Sequence, residues 1–160
     1  YLPMLYPVLQ ALSRKYNLEF LTIGAQQFAI PGVKTKLINW NSDTEVQDIS
    51  QMDIGVMPLP DEKWAKGKCG LKLLQYMALG IPTVSSPVGV NSEIIQNGVN
   101  GFLASRSDEW EEKLSCLIND IELRKKIGMA GRRTVEERYS ASMWAEEVYN
   151  ILKRVKERRT

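Results

Sequence analysis

Histidine is absent from this 160-residue chain. That excludes a Ser-His-Asp triad, a Cys-His nucleophile and most zinc sites. Only two cysteines occur, Cys69 and Cys116, too far apart for metal-ligand spacing. They read as reduced thiols of a cytosolic protein. Neither sign of charge dominates: 21 basic against 19 acidic residues leave a formal net charge of +2. Nucleic-acid-binding surfaces carry a clear basic excess, so nucleic acid is not an expected partner. No apolar run approaches the roughly 18 residues that cross a bilayer. The opening YLPMLYPVLQ has neither a basic start nor a signal-peptide pattern. What remains is a globular composition, 44% hydrophobic and 25% charged, with the length for one domain rather than two.

Periodicity supplies the elements. Leu5, Val8, Leu9 and Leu12 recur at helical spacing and predict a helix over 3–15. LEFLTI (18–23) reads as a buried strand ended by Gly24, and KTKLINW (34–40) as a second strand. A short helix over 44–51 has Ser42 or Asp43 as its cap. DIGVMPL (53–59) is a third strand, followed by a loop over 60–69 and a helix over 70–79 with Leu71, Leu74 and Ala78 toward the sheet. Gly80 ends that helix and Pro82 follows. PTVSS (82–86) is a fourth strand, 91–96 a short helix, and NGVNG a tight turn into a fifth strand, GFLA. Only helical periodicity follows: one helix from Ser107 with Leu114, Leu117 and Ile118 on one face, then helices over 121–138 and 141–158. Strands alternating with helices predict an α/β domain, a Rossmann-like parallel sheet covered by helices on both faces, with a helical C-terminal segment.

The stretch KGKCGLKLLQYM (66–77) crowds two glycines and two lysines, Gly67, Lys68, Gly70 and Lys72, into the start of a helix. In open parallel sheets ligands bind beyond the carboxyl ends of the strands, where the loop after the third strand arrives. The first N–H groups of a helix have no intrahelical partner and, with the dipole, attract anions. Gly67 and Gly70 would let backbone approach such a ligand, and the lysines would add charge. A plain loop-to-helix junction with solvated lysines is the alternative. A second loop, SSPVGVNSE (85–93), also follows a strand and opens a helix, so two such loops would meet a phosphate-bearing ligand at one sheet edge.

The block DIGVMPLP…GLKLLQYMALGIPTVSSPVGVNSEIIQNGVNGFLA resembles the donor-binding half of the group 1 (family 4) retaining glycosyltransferases of GT-B architecture. The similarity covers about 52–104 with specific motifs and extends more weakly to both ends, including a YS…W segment at Tyr139–Trp144. The resemblance implies a C-terminal domain that binds a nucleotide sugar, such as a UDP- or GDP-sugar, and needs no further cofactor and no metal. It implies that the chain is a fragment lacking an N-terminal acceptor domain and the first strand of its own domain. A glycan, lipid or small-molecule acceptor would bind through the N-terminal domain, in the cytoplasm or peripherally at the inner face of a membrane.

Two positions depart from the family pattern. The family's first Glu aligns with Gly67, and Asp61 or Glu62 of the same loop are the candidates to replace it. The second Glu, which holds ribose hydroxyls, aligns with Gln75, whose amide can both donate and accept. Lys68 and Lys72, with Gly67, Gly70 and Leu71, would then serve the diphosphate. Trp40 either lines a base pocket or is a half-buried aromatic at a strand end. Gly89 and Glu93 belong to the second loop, and Glu93 is either near the nucleotide or a first-turn acid. Trp64 is a lid or a packing residue. The basic tail KRVKERR (153–159) is a solvated helix end or a membrane contact. Two other functions stay open: a non-catalytic nucleotide-sugar-binding module, and a nucleotide-sugar epimerase of the same architecture.

Overall fold

A 3-10 turn, Leu2–Leu5, leads into α1, Tyr6–Lys15. In this computed structural model every residue is described except Gln26 and the last three, so Arg158 and Arg159 of the basic tail lie outside the described residues. Leu5, Val8, Leu9 and Leu12 are all buried, as their spacing predicts. They pack against α6, Ser107–Asn119, through Trp110, Leu114 and Leu117.

The strands are β1 Glu19–Ile23, β2 Lys34–Ile38, β3 Gly55–Met57, β4 Thr83–Ser85 and β5 Phe102–Leu103. All pairings are parallel, and they fall into two ladders, β1-β2 and β3-β4-β5. Two hydrophobic clusters cover the two faces. One holds α1 and α6; the other holds Met57 and Leu59 with Leu73, Met77, Ile94 and Ile95. This is the α/β arrangement expected from alternating strands and helices. The 18–23 run is less buried than its composition suggests, with only Thr22 buried in β1, because β1 has a strand partner on one side alone.

Helix α2, Glu45–Ile49, starts one residue later than an Asp43 cap would place it and two later than a Ser42 cap would. Thr44 stands at the cap position, its hydroxyl donating to Asp48 Oδ2 at 2.8 Å. Asp43 instead closes a local turn, its N–H donating to Asn41 Oδ1. The segment read as a plain loop contains a helical turn, α3 Lys63–Lys66.

Helix α4, Leu71–Ala78, ends where Gly80 predicts. Gly80 N–H donates to the Met77 carbonyl and Ile81 N–H to that of Tyr76, while Gly80 takes φ +71°, a left-handed value that favours glycine. The buried face of α4 is not the expected one. Leu73 and Met77 are buried, whereas Leu71 is 59% exposed and Ala78 is exposed. The cause is α7, Ile121–Arg138, which lies against α4 through Gly128 and Gly131. Met77 side-chain atoms come within ordinary contact distance of the position a Cβ on Gly131 would take.

Helix α5, Asn91–Ile94, leads into the NGVNG turn, which Asn100 organises. Its buried amide donates to the Ile94 carbonyl and to Thr134 Oγ1, each at 3.0 Å, and its oxygen accepts from Gln96 N–H at 2.8 Å. Truncating it would leave buried groups unpaired, each worth about 1–3 kcal/mol. Asn100→Ala is therefore expected to lower stability by about 2 kcal/mol in urea unfolding. A loss within error would show that the turn holds without its central amide.

The final helix, α8 Ala141–Glu157, has no buried residue, and Trp144, Val148 and Leu152 stay exposed. Trp144 Nε1 donates to the Arg138 carbonyl and ties α8 to the end of α7. Both cysteines are exposed free thiols. Among the described residues no helix is long and apolar enough to cross a membrane.

Candidate functional site

Strand β3 ends at Met57, and the chain then turns through Pro58, Leu59 and α3 to α4. The turn is held from behind. Leu59 N–H donates to Ser86 Oγ at 2.9 Å, and the Ser86 carbonyl accepts from buried Asn91 Nδ2 at 3.1 Å. At the carboxyl ends of β1 and β3 lies a crevice of about 460 Å³. Its walls include Trp40, Glu45, Lys68, Leu71, Lys72 and Gln75. Five of the residues singled out from the sequence thus meet in one place.

The N-terminus of α4 opens on this crevice, since Leu71 and Lys72 line it. The N-cap residue, Gly70, has no side chain to cap the helix, and among the described residues no side-chain cap hydrogen bond is made there. Gly70 takes φ +71°, and a Cβ there would stand 2.9 Å from Ile94 Cδ1 and 3.2 Å from Val90 Cγ1. The backbone conformation and the packing of α5 against it are enough to require glycine here. Gly67 is different. Its backbone is ordinary helical, and the nearest atom to a Cβ there is the Trp64 carbonyl at 3.6 Å, so packing does not demand glycine.

Lys68 places its ammonium 5.4 Å from the ring centre of Tyr1, which also lines the crevice. Lys72 is exposed on the first turn of α4. Gln75 follows Lys72 on the helix and is half-buried. Trp40 is 58% exposed, and its indole N–H donates to Glu45 Oε1 at 3.0 Å, which fixes the ring's edge over the crevice. Tyr76 forms part of the floor and covers Gly55, where an added Cβ would meet its ring at 2.5 Å. Burial pushes the Tyr76 phenol above its ordinary value, so it stays neutral.

Other expected residues stand apart. Neither Asp61 nor Glu62 is part of the crevice wall. Asp61 pairs with Lys66 at 2.7 Å, and Glu62 accepts the Tyr1 hydroxyl at 3.0 Å. The second loop supports the first. A Cβ on Gly89 would sit 2.6 Å from the Lys66 carbonyl oxygen, so this glycine lets the two loops touch. Glu93 is exposed in the first turn of α5 and does not line the crevice. Trp64 is 77% exposed, so it is not a packing residue. The sequence reading did not find Tyr1 or Glu45. Tyr1 reaches the crevice across more than sixty positions of chain. Glu45 had a local signal, five residues after an exposed-end tryptophan.

Residues 4–120 match the family described as Glycosyl transferases group 1, and the chain belongs to that family. It is 28% identical over 153 residues to the capsular polysaccharide biosynthesis glycosyltransferase CapM of Staphylococcus aureus, covering 88% of this chain and 39% of CapM. Among solved structures, it resembles the C-terminal domain of the group 1 protein LpcC from Francisella tularensis, at 29% identity and TM-score 0.56 over 67% of this chain and 54% of that one. It also superposes on a point mutant of S. aureus TarM, solved with fondaparinux, α-GlcNAc-glycerol and UDP. There the TM-score is 0.73 at 19% identity, over 93% of this chain and 32% of TarM. These likenesses give the fold, that of GT-B glycosyltransferases. The chain spans about two fifths of CapM and a third of TarM.

Proposed function

We propose that this chain is the donor-binding domain of a retaining, metal-independent glycosyltransferase that holds a nucleoside-diphosphate sugar in the β1/β3 crevice. The observation that carries this is the meeting of Lys68, Lys72 and Gln75 at a helix N-terminus without a side-chain cap. The diphosphate lies over the first turn of α4, between the two ammonium groups. Charge grows on its bridging oxygen as the bond to the sugar breaks, and the helix amides and lysines stabilise it there. Gln75 reaches the ribose hydroxyls, and Trp40, held by Glu45, offers a face to the base. The acceptor, a glycan, lipid or small molecule, is held mostly by a further domain, and the reaction takes place in the cytoplasm or at the inner face of a membrane. TarM, solved with UDP, supports the donor class.

Gln75 supplies a test by calorimetric titration with UDP and GDP. Gln75→Ala is expected to cost about 1 kcal/mol, the usual net value of a neutral hydrogen bond, or roughly fivefold in Kd. Gln75→Glu is expected to keep or improve affinity, because a carboxylate makes a stronger bond to a hydroxyl. Both variants should melt like the parent, since the side chain is not in the core. Unchanged affinity in Gln75→Ala would assign this amide no part in binding.

One observation favours a second reading, a binding module without catalysis. Gly67 stands where the family pattern has an acid, and neither Asp61 nor Glu62 lines the crevice. Activity separates the two readings. The isolated chain is expected to transfer no sugar. Joined to an acceptor-binding half, it is expected to turn over, and EDTA should leave that rate unchanged. Donor binding by the joined protein without turnover would select the binding module, and inhibition by EDTA would overturn the metal-free mechanism.

A further inference from the structure

The crevice at the carboxyl ends of β1 and β3 is chemically divided. Lys68 and Lys72 bring positive charge to it from the start of α4. Glu45, the first residue of α2, is the one acidic side chain among the described residues that line it. The wall that β1 and α2 supply is otherwise mostly apolar, with Ile23, Ala25 and Ile49. Thr22 belongs to it too, but its hydroxyl oxygen is buried and shut off from solvent.

Glu45 and Trp40 act as one unit. The stem of Trp40 rests on the end of β1, where a Cβ on Gly24 would lie 3.3 Å from Trp40 Cβ. The indole N–H donates to Glu45 Oε1, so it is not free to donate to a ligand. Among the described residues Glu45 makes no ion pair, and its Oε2 accepts no hydrogen bond. The residue is half-buried, which leaves Oε2 to solvent or to a ligand. Stacking on Trp40 would not tell one base from another, because every base has a π face. The edge of the base is what Glu45 can read. An ionised carboxylate only accepts, and it does so through two oxygens side by side. Guanine alone among the common bases carries two adjacent donors, N1–H and the N2 amino group, on its Watson–Crick edge. Uracil sets a carbonyl on each side of its single N3–H, and these would face the carboxylate. Adenine and cytosine place a bare ring nitrogen beside their amino group, which the second oxygen repels.

We infer that Glu45 selects guanine, so that the donor is a GDP-sugar rather than a UDP-sugar. This rests on the nucleotide reading of the crevice proposed above and names its base. Guanine stacks on Trp40 and donates N1–H and N2–H to the Glu45 carboxylate, while the diphosphate runs to Lys68 and Lys72. Each carboxylate oxygen has two lone pairs, so Oε1 keeps the Trp40 N–H while it accepts from the base. The selection comes from repulsion as much as attraction: a carbonyl or a bare nitrogen set against the carboxylate loses its water and gains no donor. TarM holds UDP, but at 19% identity that likeness extends to the fold and not to the base.

Calorimetric titration with GDP, IDP and UDP tests it, on the parent chain and on Glu45→Gln. Inosine is guanosine without the N2 amino group. The parent is expected to bind GDP about tenfold or more tighter than UDP, the discrimination of one good bidentate pair. IDP is expected to fall between them, since it keeps one of the two donors. Glu45→Gln keeps an oxygen for the Trp40 N–H and turns the other acceptor into a donor. GDP is expected to weaken in that variant and UDP to strengthen, because the amide can accept from N3–H and donate to a uracil carbonyl. The Trp40 indole N–H resonance should stay in place. A merely structural role for Glu45 would instead lower all three affinities alike. UDP bound as tightly as GDP by the parent, or a GDP:UDP ratio that survives Glu45→Gln, would overturn the guanine assignment and leave the nucleotide reading standing. If the variant does not fold, the parent decides alone: IDP bound as tightly as GDP overturns the paired contact. No binding of any of the three would overturn both readings.

Discussion

Lys68→Ala combined with Lys72→Ala is expected to weaken nucleoside diphosphate binding about a hundredfold or more, while nucleoside binding changes little. A hydrogen bond to a charged group is worth about 1.5–3 kcal/mol, so removing two such bonds at once costs at least about 3 kcal/mol. Neither lysine is in an ion pair with an acidic residue among the described residues, so the substitutions strand no carboxylate. Lys68 does lie over the Tyr1 ring, and its loss loosens that ring at the crevice mouth. Stability should change little, because Lys72 is exposed and Lys68 only half-buried. Isothermal titration with UDP and uridine, or GDP and guanosine, reads the difference. The parent should also lose affinity for the diphosphate as salt rises, and the double variant should lose much less. Equal losses for nucleoside and diphosphate would remove the phosphate assignment from these residues.

The second large effect is structural and lies behind the site. Gly128, in the middle of α7, is expected to tolerate no side chain. A Cβ there would collide with the Gly80 carbonyl oxygen and stand 2.9 Å from its carbon. These are backbone atoms at the hydrogen-bonded end of α4, so they cannot rotate aside. Helix propensity pulls the other way, since alanine is favoured over glycine in a helix interior by about 1 kcal/mol. Overpacking a tight contact costs typically about 1–3 kcal/mol and occasionally more, and here backbone meets backbone. Gly128→Ala is therefore expected to lose about 2 kcal/mol net, and Gly128→Val more, a large share of the roughly 5–15 kcal/mol that holds a domain together. Because the strain falls on α4, nucleotide affinity should fall with stability in these variants. Urea unfolding of Gly128→Ala beside the parent checks it. A variant as stable as the parent would mean that α7 can slide off α4 at no cost.

The close approach at Gly128 also explains which features were legible in the sequence. The helices from Ser107 and from Ile121, the end of α4 at Gly80 and the buried stripe of α1 follow from local spacing and local backbone chemistry, and the structure has them where the sequence places them. The buried face of α4 does not. LKLLQYMA is apolar almost all round, so Leu71, Leu74 and Ala78 make as good a stripe as Leu73 and Met77. Contact with α7, some fifty residues on, makes the choice. The same holds for the second loop. Its glycine suggested a ligand, but Gly89 answers to the backbone of Lys66 in another loop. The division of the strands into two ladders is non-local in the same way: each strand is visible alone, and its neighbours are not. Within the site, helix-start chemistry pointed to Lys68 and Lys72, the family resemblance added Leu71 and Gln75, and the fold brings Trp40 to them. Tyr1 and Glu45 join only through contacts that folding creates.

The central claim, that this crevice binds a nucleoside diphosphate at the start of α4, is tested most directly by two-dimensional NMR of the chain titrated with UDP, GDP and ADP. At least one of them is expected to shift the backbone amides from Lys68 to Gln75 together with the Trp40 indole N–H, and to leave the amides on the far face of α6 unmoved. Shifts confined to other elements, or none at millimolar concentrations of any of the three, would contradict it.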